Sequence, residues 1–274
     1  MDRRLTPANA HVAATYLKGS IEAPTYTDGE LWCVGQPVVN LYRSPDGARD
    51  RQLLLGDVVT VYDTRDGYAF LRAQKDGCVG YVRAEALIAP FTPTHWVAVP
   101  GGHSYSKPDI KSSEVDSLVF GNALEIVSHM PKFFETAQGT FVPKPHLWPI
   151  EKRFTDPVTV AQLHFGAPYL WGGNSARGID CSGLVQASLM AVGQACPGDS
   201  DLQEAALGTT LAPDADLQRG DLLFWKGHVA MVVDADTMIH ANAHAMAVSY
   251  EPIAKAVLRI EAQGGGPVTS RKRL

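Results

Sequence analysis

The stretch that decides the fold runs from Tyr169 to Gln186 and reads YLWGGNSARGIDCSGLVQ. Its glycines and asparagine favour a loop, and the apolar run after Asp180 predicts a helix that begins at Cys181. Unpaired backbone N–H groups and the positive end of the helix dipole lie at such a start. The pattern therefore predicts a cysteine of lowered pKa that acts as a nucleophile near neutral pH. The alternative is a buried structural cysteine, but the flanking glycines leave room for a substrate.

Two histidines further along the chain are candidates for activating this thiol. His228 opens an apolar strand-like run, and His240 lies in the next such run, with a turn near residue 235 between them. In a hairpin centred there, position 228 lies opposite 242, so His240 is diagonal to His228 on the same face. One imidazole can then take the proton of Cys181 while the second orients the first.

Four motifs in this region resemble those of the NlpC-type cysteine peptidases of bacterial cell-wall metabolism. They are DCSGLV at 180–185, GDLLF at 220–224, GHVAMVV at 227–233 and IHA at 239–241. The resemblance implies a papain-like α+β domain with Cys181 as nucleophile, His228 as general base and acid, and His240 as the orienting third member. It also implies that Tyr169 and the Cys181 N–H form the oxyanion site. The further residues expected to line the substrate site are Asp180, Ser182 and Trp171.

The amino-terminal half has a different character. Short β-type runs bounded by Asp-Gly turns fill residues 25–90 and predict a small barrel. Residues 91–148 repeat the outline, since Leu54–Val61 matches Val119–Ile126. Both blocks resemble bacterial SH3-like domains, the second less closely because Gly139-Thr-Phe-Val stands in place of Gly-Tyr-Val. A proline-rich linker follows the second block.

The predicted fold class is therefore multidomain, with two small all-β SH3-like barrels ahead of a papain-like α+β peptidase domain. The predicted boundaries are an amino-terminal segment at 1–24, SH3-like domain 1 at 25–90, SH3-like domain 2 at 91–148 and the catalytic domain at 149–274. We expect a structural role for the second SH3-like domain.

This domain order resembles γ-D-glutamyl-L-diamino-acid endopeptidases of the dipeptidyl-peptidase VI type. The resemblance implies that the first SH3-like module closes one end of the cleft, so that only stem peptides with a free L-Ala amine enter. It also implies an Asp-Ser pair at the amine site, where Asp199 and Ser200 stand here, and a carboxylate suits an ammonium group. Ser200 and Gln203 equally fit a helix capping box. Candidate contacts from the first module are Tyr81, Glu85 and Glu30.

The predicted reaction is hydrolysis of the γ-D-Glu to diamino-acid bond of small muropeptides during murein peptide recycling, without cofactor or metal. Two alternatives stay open: an amidase or acyltransferase on the same scaffold, and a non-catalytic SH3-like protein that binds the cell wall. A zinc hydrolase is a weaker alternative. His240 and His244 have i, i+4 spacing, but no Glu follows the first histidine and the segment favours a strand and loop.

Composition narrows the functional class further. The 274 residues carry 24 Lys and Arg against 29 Asp and Glu, a net charge of −5, which argues against nucleic-acid partners. No apolar run approaches the roughly 18 residues of a membrane span. No apolar signal core follows the first arginines, so we expect a cytoplasmic protein.

The four cysteines form no CxxC pair and indicate neither a zinc ribbon nor a disulfide framework. The basic end at Arg271–Arg273 is expected to fray.

Overall fold

The computed structural model describes all 274 residues and divides them into two compact units, Met1–Lys152 and Arg153–Leu274. The finer boundaries at 24/25 and 90/91 stay predictions. No helix in either unit combines the length and apolar character that crossing a membrane would require.

The first unit is built almost entirely of short strands, with single-turn 3-10 helices between some of them. The strands are β1 (Val12–Ala14), β2 (Thr25–Thr27), β3 (Glu30–Val34), β4 (Val38–Tyr42), β5 (Arg49–Leu54), β6 (Val58–Arg65), β7 (Tyr68–Ala73), β8 (Val79–Arg83), β9 (Leu87–Ile88), β10 (His95–Val97), β11 (Gly101–Tyr105), β12 (Glu114–Val119), β13 (Ala123–Leu124), β14 (Ile126–His129), β15 (Phe133–Thr136), β16 (Phe141–Pro143) and β17 (Leu147–Pro149).

Seven strands of this unit form one antiparallel sheet in the order β5-β4-β8-β7-β6-β3-β9. Its core includes Val34, Leu41, Val59 and Leu71, all buried. Arg65 pairs with Tyr68 across β6 and β7, so the turn between them consists of Asp66 and Gly67, both at positive φ. An Asp-Gly pair suits this turn because glycine carries no Cβ to clash there. The Asp-Gly hairpin predicted at this position is confirmed.

Two smaller sheets occupy the later part of the first unit, in the orders β12-β11-β16-β15-β14 and β13-β10-β17. The turn after β12 repeats the turn after β5. Gly56 and Gly121 have φ values of 87° and 88°. The side chain of Asp57 accepts the Leu54 N–H at 2.8 Å, and that of Asn122 accepts the Val119 N–H at 2.9 Å. The internal repeat is confirmed at this turn, while the number of SH3-like barrels stays a prediction.

The second unit combines helices with one large sheet. Its elements are α1 (Pro157–Leu163), β18 (Asn174–Ser175), β19 (Gly178–Ile179), α2 (Cys181–Ala191), α3 (Ser200–Ala206), β20 (Thr209–Thr210), β21 (Leu222–Trp225), β22 (His228–Val232), β23 (Thr237–Asn242), β24 (Ala247–Pro252), α4 (Ile253–Ala262) and β25 (Ser270–Arg273). The sheet order is β20-β25-β21-β22-β23-β24. The helix predicted to begin at Cys181 and the two strands predicted on either side of residue 235 are confirmed.

Alternation along the strands gives this sheet two apolar faces. Phe224, Met231 and Ile239 belong to one buried cluster with Leu184 of α2. The neighbouring strand residues face the other way, where they form a second cluster with Ala256 of α4. The sheet is therefore covered on both sides, and the start of β22 lies where α2 begins.

The carboxyl-terminal tail is not frayed, so that expectation is wrong. β25 pairs with both β21 and β20. The Arg273 guanidinium donates to both carboxylate oxygens of Asp221, at 3.0 and 2.8 Å. Asp221 is only 2% exposed. A buried carboxylate is stable only with a partner, and Arg273 is that partner for Asp221. The basic segment therefore forms a strand of the sheet instead of extending into solvent.

Candidate active site

Cys181 is the first residue of α2, and Asp180 caps that helix. One carboxylate oxygen of Asp180 accepts the Gly183 N–H at 2.7 Å and the Ser182 hydroxyl at 3.1 Å. Its other oxygen accepts the Gly172 N–H at 2.8 Å. The cap satisfies helix-start donors and ties the preceding loop to the helix. Asp180 and Ser182 thus shape the helix start, and a contact between either side chain and substrate stays a prediction.

Two glycines let the loop approach the helix closely. A Cβ on Gly183 would lie 2.5 Å from the carbonyl oxygen of Gly173 and 3.1 Å from Asp180 Oδ1. Backbone cannot yield as a flexible side chain does, so position 183 accepts only glycine without a shift of the loop. This loop carries Trp171, and the helix carries Cys181.

We expect Gly183→Ala to lower the free energy of unfolding by about 1–3 kcal/mol, because the added methyl group overpacks the loop against the helix. Thermal unfolding measures the change. Gly101→Ala is the matched control, because its Cβ would find no atom nearer than 3.7 Å. Equal unfolding temperatures for the two variants would contradict the packing argument.

The Cys181 thiol is buried, with 7% of the residue exposed, and packs in the cluster that contains Val229. Burial, followed by the neighbouring Asp180 carboxylate, raises the pKa of the thiol to about 12, although the Val229 and Ser182 N–H groups act in the opposite direction. The predicted lowering of this pKa is therefore wrong. The helix start does supply N–H groups, but the loss of water around the sulfur outweighs them. The resting thiol is protonated and needs a base.

The two predicted histidines are in contact. His228 Nε2 lies 2.9 Å from His240 Nδ1. The register that pairs Met231 with Ile239 extends to place position 242 opposite 228, so the diagonal arrangement predicted for the hairpin is confirmed. Burial lowers the pKa of His228 to about 3 and that of His240 to about 4. Both imidazoles are therefore neutral at pH 7, as a general base must be.

Tyr169 lies beside the nucleophile. Its N–H donates to the Met246 carbonyl at 2.9 Å, and its ring packs against the core that holds Cys181. Burial, with Cys181 and Asp180 nearby, raises the pKa of its phenol to about 12. The phenol therefore keeps its proton and can donate a hydrogen bond to an oxyanion. Trp171, in contrast, is 68% exposed, and its place in the substrate site stays a prediction.

The segment around Asp199 differs from the capping-box prediction. Asp199, half-buried, occupies the N-cap of α3, and Ser200 is the first helical residue rather than the cap. The Gln203 side chain instead donates to the carbonyls of Ser182 and Pro197, both at 2.9 Å. The predicted capping box is wrong because Gln203 is wholly buried. Its side-chain amide donates to backbone carbonyls of α2 and of the segment between α2 and α3. Gln203 thereby connects the Asp199 segment to the helix of the nucleophile.

The three candidates from the first unit belong to three different elements. Glu30 and Glu85 are exposed, at the start of β3 and in a 3-10 turn. Tyr81 is half-buried, packs against Phe70 at 5.0 Å between ring centroids and accepts a hydrogen bond from Asn9 at 3.1 Å. Tyr81 and Phe70 also line a cavity of about 220 Å³ within this unit.

The sequence interpretation missed Glu251 and Arg259. Glu251 Oε2 lies 3.2 Å from His240 Nε2, and Arg259 contacts both carboxylate oxygens of Glu251. Glu251 lies in β24, whose pairing with β23 places it across from Met238. The strand alternation would have shown that Glu251 shares a face with His240, but only once β24 was recognised as the partner of β23.

No group of three or more His, Cys, Asp and Glu side chains comes close enough to hold a metal ion. All four cysteines are buried, and no disulfide joins any of them. The pair His240 and His244 does not lie on one helix, since β23 ends at Asn242. The chemistry that these residues offer is that of a thiol with a neutral histidine base.

Comparison with known protein families finds a match in each of the two units. Residues 166–261 match the NlpC/P60 family, and residues 41–87 match the bacterial dipeptidyl-peptidase SH3 domain. The resemblance noted in the sequence motifs is thereby confirmed.

Among curated relatives, dipeptidyl-peptidase 6 of Lysinibacillus sphaericus is 36% identical over 85 residues, and a gamma-D-glutamyl-L-lysine dipeptidyl-peptidase of Bacillus subtilis is 37% identical over 95 residues. Each match covers 31% of this chain and 31% of the relative, so the matched region spans about a third of their length. A crystal structure of an NlpC/P60 family protein from Bacillus cereus covers 89% of this chain and 99% of its own, with a TM-score of 0.74 at 20% identity. This structural likeness establishes the shared fold.

Proposed function

We propose that the chain is a cysteine peptidase that hydrolyses the γ-D-Glu to diamino-acid bond of peptidoglycan stem peptides with a free amino-terminal L-Ala. The observation that carries the proposal is a protonated, buried cysteine at a helix start, beside a strand that opens with a neutral histidine backed by a second. The relatives named dipeptidyl-peptidases support the substrate class.

The reaction follows from the protonation states. His228 takes the thiol proton as Cys181 sulfur attacks the γ-carbonyl, and the oxyanion is stabilised by the Cys181 N–H and the Tyr169 phenol. The carbon–nitrogen bond then breaks, and His228 returns the proton to the leaving amine of the diamino acid. Water, activated by His228, hydrolyses the thioester, releases L-Ala-D-Glu and restores the thiol.

The free amine of L-Ala is the second element of the proposal. An ammonium group forms a charge-assisted hydrogen bond with a carboxylate, and Asp199 is the half-buried carboxylate next to the Ser182–Gln203 connection. Asp199 is therefore proposed as the ligand of the amine, with Ser200 beside it. We further propose a role in recycling small muropeptides in the cytoplasm, and cell fractionation with an antibody tests the location.

The direct test is to incubate the protein with L-Ala-γ-D-Glu linked to diaminopimelate or to L-Lys and to identify the products by mass spectrometry. Release of L-Ala-D-Glu and the free diamino acid supports the proposal. Release of L-Ala alone, by hydrolysis of the bond between L-Ala and D-Glu, would contradict the assignment of the γ-D-Glu bond as the one that is cleaved. No cleavage of either peptide would contradict the peptidase proposal.

The acidic limb of the pH profile should lie far below the usual histidine range. A lowered pKa keeps His228 neutral, hence basic, until the pH falls to about 3 to 4. We therefore expect kcat/KM to change by less than about twofold between pH 7 and pH 5.5, whereas a histidine of pKa 6.5 would lose about 90% of its basic form. A half-loss of kcat/KM near pH 6.5 would contradict this expectation.

A further inference from the structure

A chain of four buried or half-buried side chains runs through the second unit behind His228. His228 Nε2 lies 2.9 Å from His240 Nδ1, and His240 Nε2 lies 3.2 Å from Glu251 Oε2. Arg259 donates to Glu251 from Nε at 2.8 Å and from a terminal nitrogen at 2.7 Å. Its members come from four successive elements, β22, β23, β24 and α4. The His240 side chain has no solvent exposure.

The protons in this chain can be assigned from its acidic end. Because an ionised carboxylate only accepts hydrogen bonds, His240 Nε2 must carry the proton shared with Glu251. A neutral imidazole has one N–H, so His240 Nδ1 is an acceptor, and His228 Nε2 must be the donor across the 2.9 Å contact. The remaining nitrogen of His228, Nδ1, is then free of a proton. This is the atom that can accept the thiol proton.

We propose that Glu251, held by Arg259, is a positioning residue that fixes both histidine tautomers so that His228 Nδ1 faces the reaction as a base. This inference rests on the proposed function of Cys181 and His228 and adds two residues that act through them. Neither Glu251 nor Arg259 has to touch the substrate.

Arg259 is needed as well as Glu251. The charged and titratable groups around His240 are Glu251 on β24, Arg259 on α4, His228 on β22 and His244 in the turn after β23. A lone carboxylate against a buried imidazole would favour an imidazolium, which cannot act as a base. The Arg259 cation offsets that effect, and it also holds the pKa of Glu251 below its usual range. The pair therefore orients the histidines without protonating them.

The main test is Glu251→Leu. Without the carboxylate, the charged group left near His240 is the Arg259 guanidinium, which only donates hydrogen bonds and therefore requires an acceptor at His240 Nε2. The protons of both histidines then shift to Nδ1, and His228 loses its basic nitrogen. We expect kcat/KM to fall about 100-fold, less than the about 10⁴-fold known for a wrong tautomer next to the base, because Glu251 acts one residue further away. Glu251→Asp, which keeps the carboxylate, should restore part of the loss.

The matched control is Glu261→Leu, the same substitution on an exposed residue of α4. It should change kcat/KM by less than about twofold. Thermal unfolding of all three variants shows whether the unit stays folded, and Glu251→Asp keeps the test informative if Glu251→Leu does not.

The readout specific to positioning is the ¹⁵N spectrum of the imidazoles, which distinguishes the tautomers without any substrate. In the unmodified protein we expect His228 and His240 as Nε2–H tautomers, and in Glu251→Leu as Nδ1–H tautomers. Unchanged tautomers in a folded Glu251→Leu protein would overturn the inference. If the unmodified protein shows these tautomers yet cleaves no stem peptide, the proposed function fails while the positioning role stands.

Discussion

Cys181→Ala is expected to lower kcat/KM on L-Ala-γ-D-Glu-diaminopimelate by at least about 10³-fold, because no other group in the site can form the thioester. His228→Ala should cost about as much, since the thiol of Cys181 is protonated at rest and cannot attack without a base. Product release measured by chromatography gives both values. Cys196→Ala is the control, because Cys196 is likewise a buried cysteine of the second unit and forms no disulfide.

The two residues should act as one unit. The double variant Cys181→Ala with His228→Ala is then expected to be no slower than either single variant, as holds for groups that share one step. Losses that multiply in the double variant would contradict the assignment of His228 as the base for Cys181. Wild-type turnover in the Cys181→Ala protein would contradict the covalent mechanism altogether.

Acetylation of the L-Ala amine is expected to lower kcat/KM at least about 100-fold, because it removes the positive charge that pairs with a carboxylate and adds bulk. Asp199→Asn should reduce turnover of the free-amine peptide by about 10- to 100-fold, the range for a hydrogen bond to a charged group. On the acetylated peptide the same substitution should have little effect, since the charge that Asp199 recognises is gone.

This second prediction has a close control. Asp201→Asn makes the same change two residues further on, in the first turn of α3, so it alters the charge at the helix start equally. It should leave the preference for a free amine intact. Equal cleavage of free and acetylated peptides by the unmodified protein would contradict the amine site, and an unchanged preference in Asp199→Asn would contradict the role of that residue.

The helix start at Cys181 and the contact between His228 and His240 were predictable because each depends on local pattern. A capped apolar run sets the first, and the period-2 alternation of a hairpin sets the second. Such rules need only neighbouring residues and the position of one turn, so the register predicted around residue 235 agrees with the observed pairing.

The errors share a different cause, which is burial by distant segments. The capping box predicted at Ser200 does not form, because the buried Gln203 side chain donates to the Ser182 carbonyl instead. The tail is ordered because Arg273 pairs with the buried Asp221. The thiol pKa depends on how much water the fold removes, which outweighs the N–H groups at the helix start. Glu251 was missed because its own strand, β24, lies beyond the hairpin of β22 and β23 that the sequence pattern defines.

The most direct test of the central claim uses L-Ala-γ-D-Glu-p-nitroanilide, followed by acid quenching and peptide mapping. Because nitroaniline is a good leaving group, the acyl-enzyme should accumulate. We expect one L-Ala-D-Glu acyl group on the peptide that contains Cys181 and release of nitroaniline that depends on that residue. No nitroaniline release, release that persists in Cys181→Ala, or an acyl group on Cys33, Cys78 or Cys196 would contradict the account.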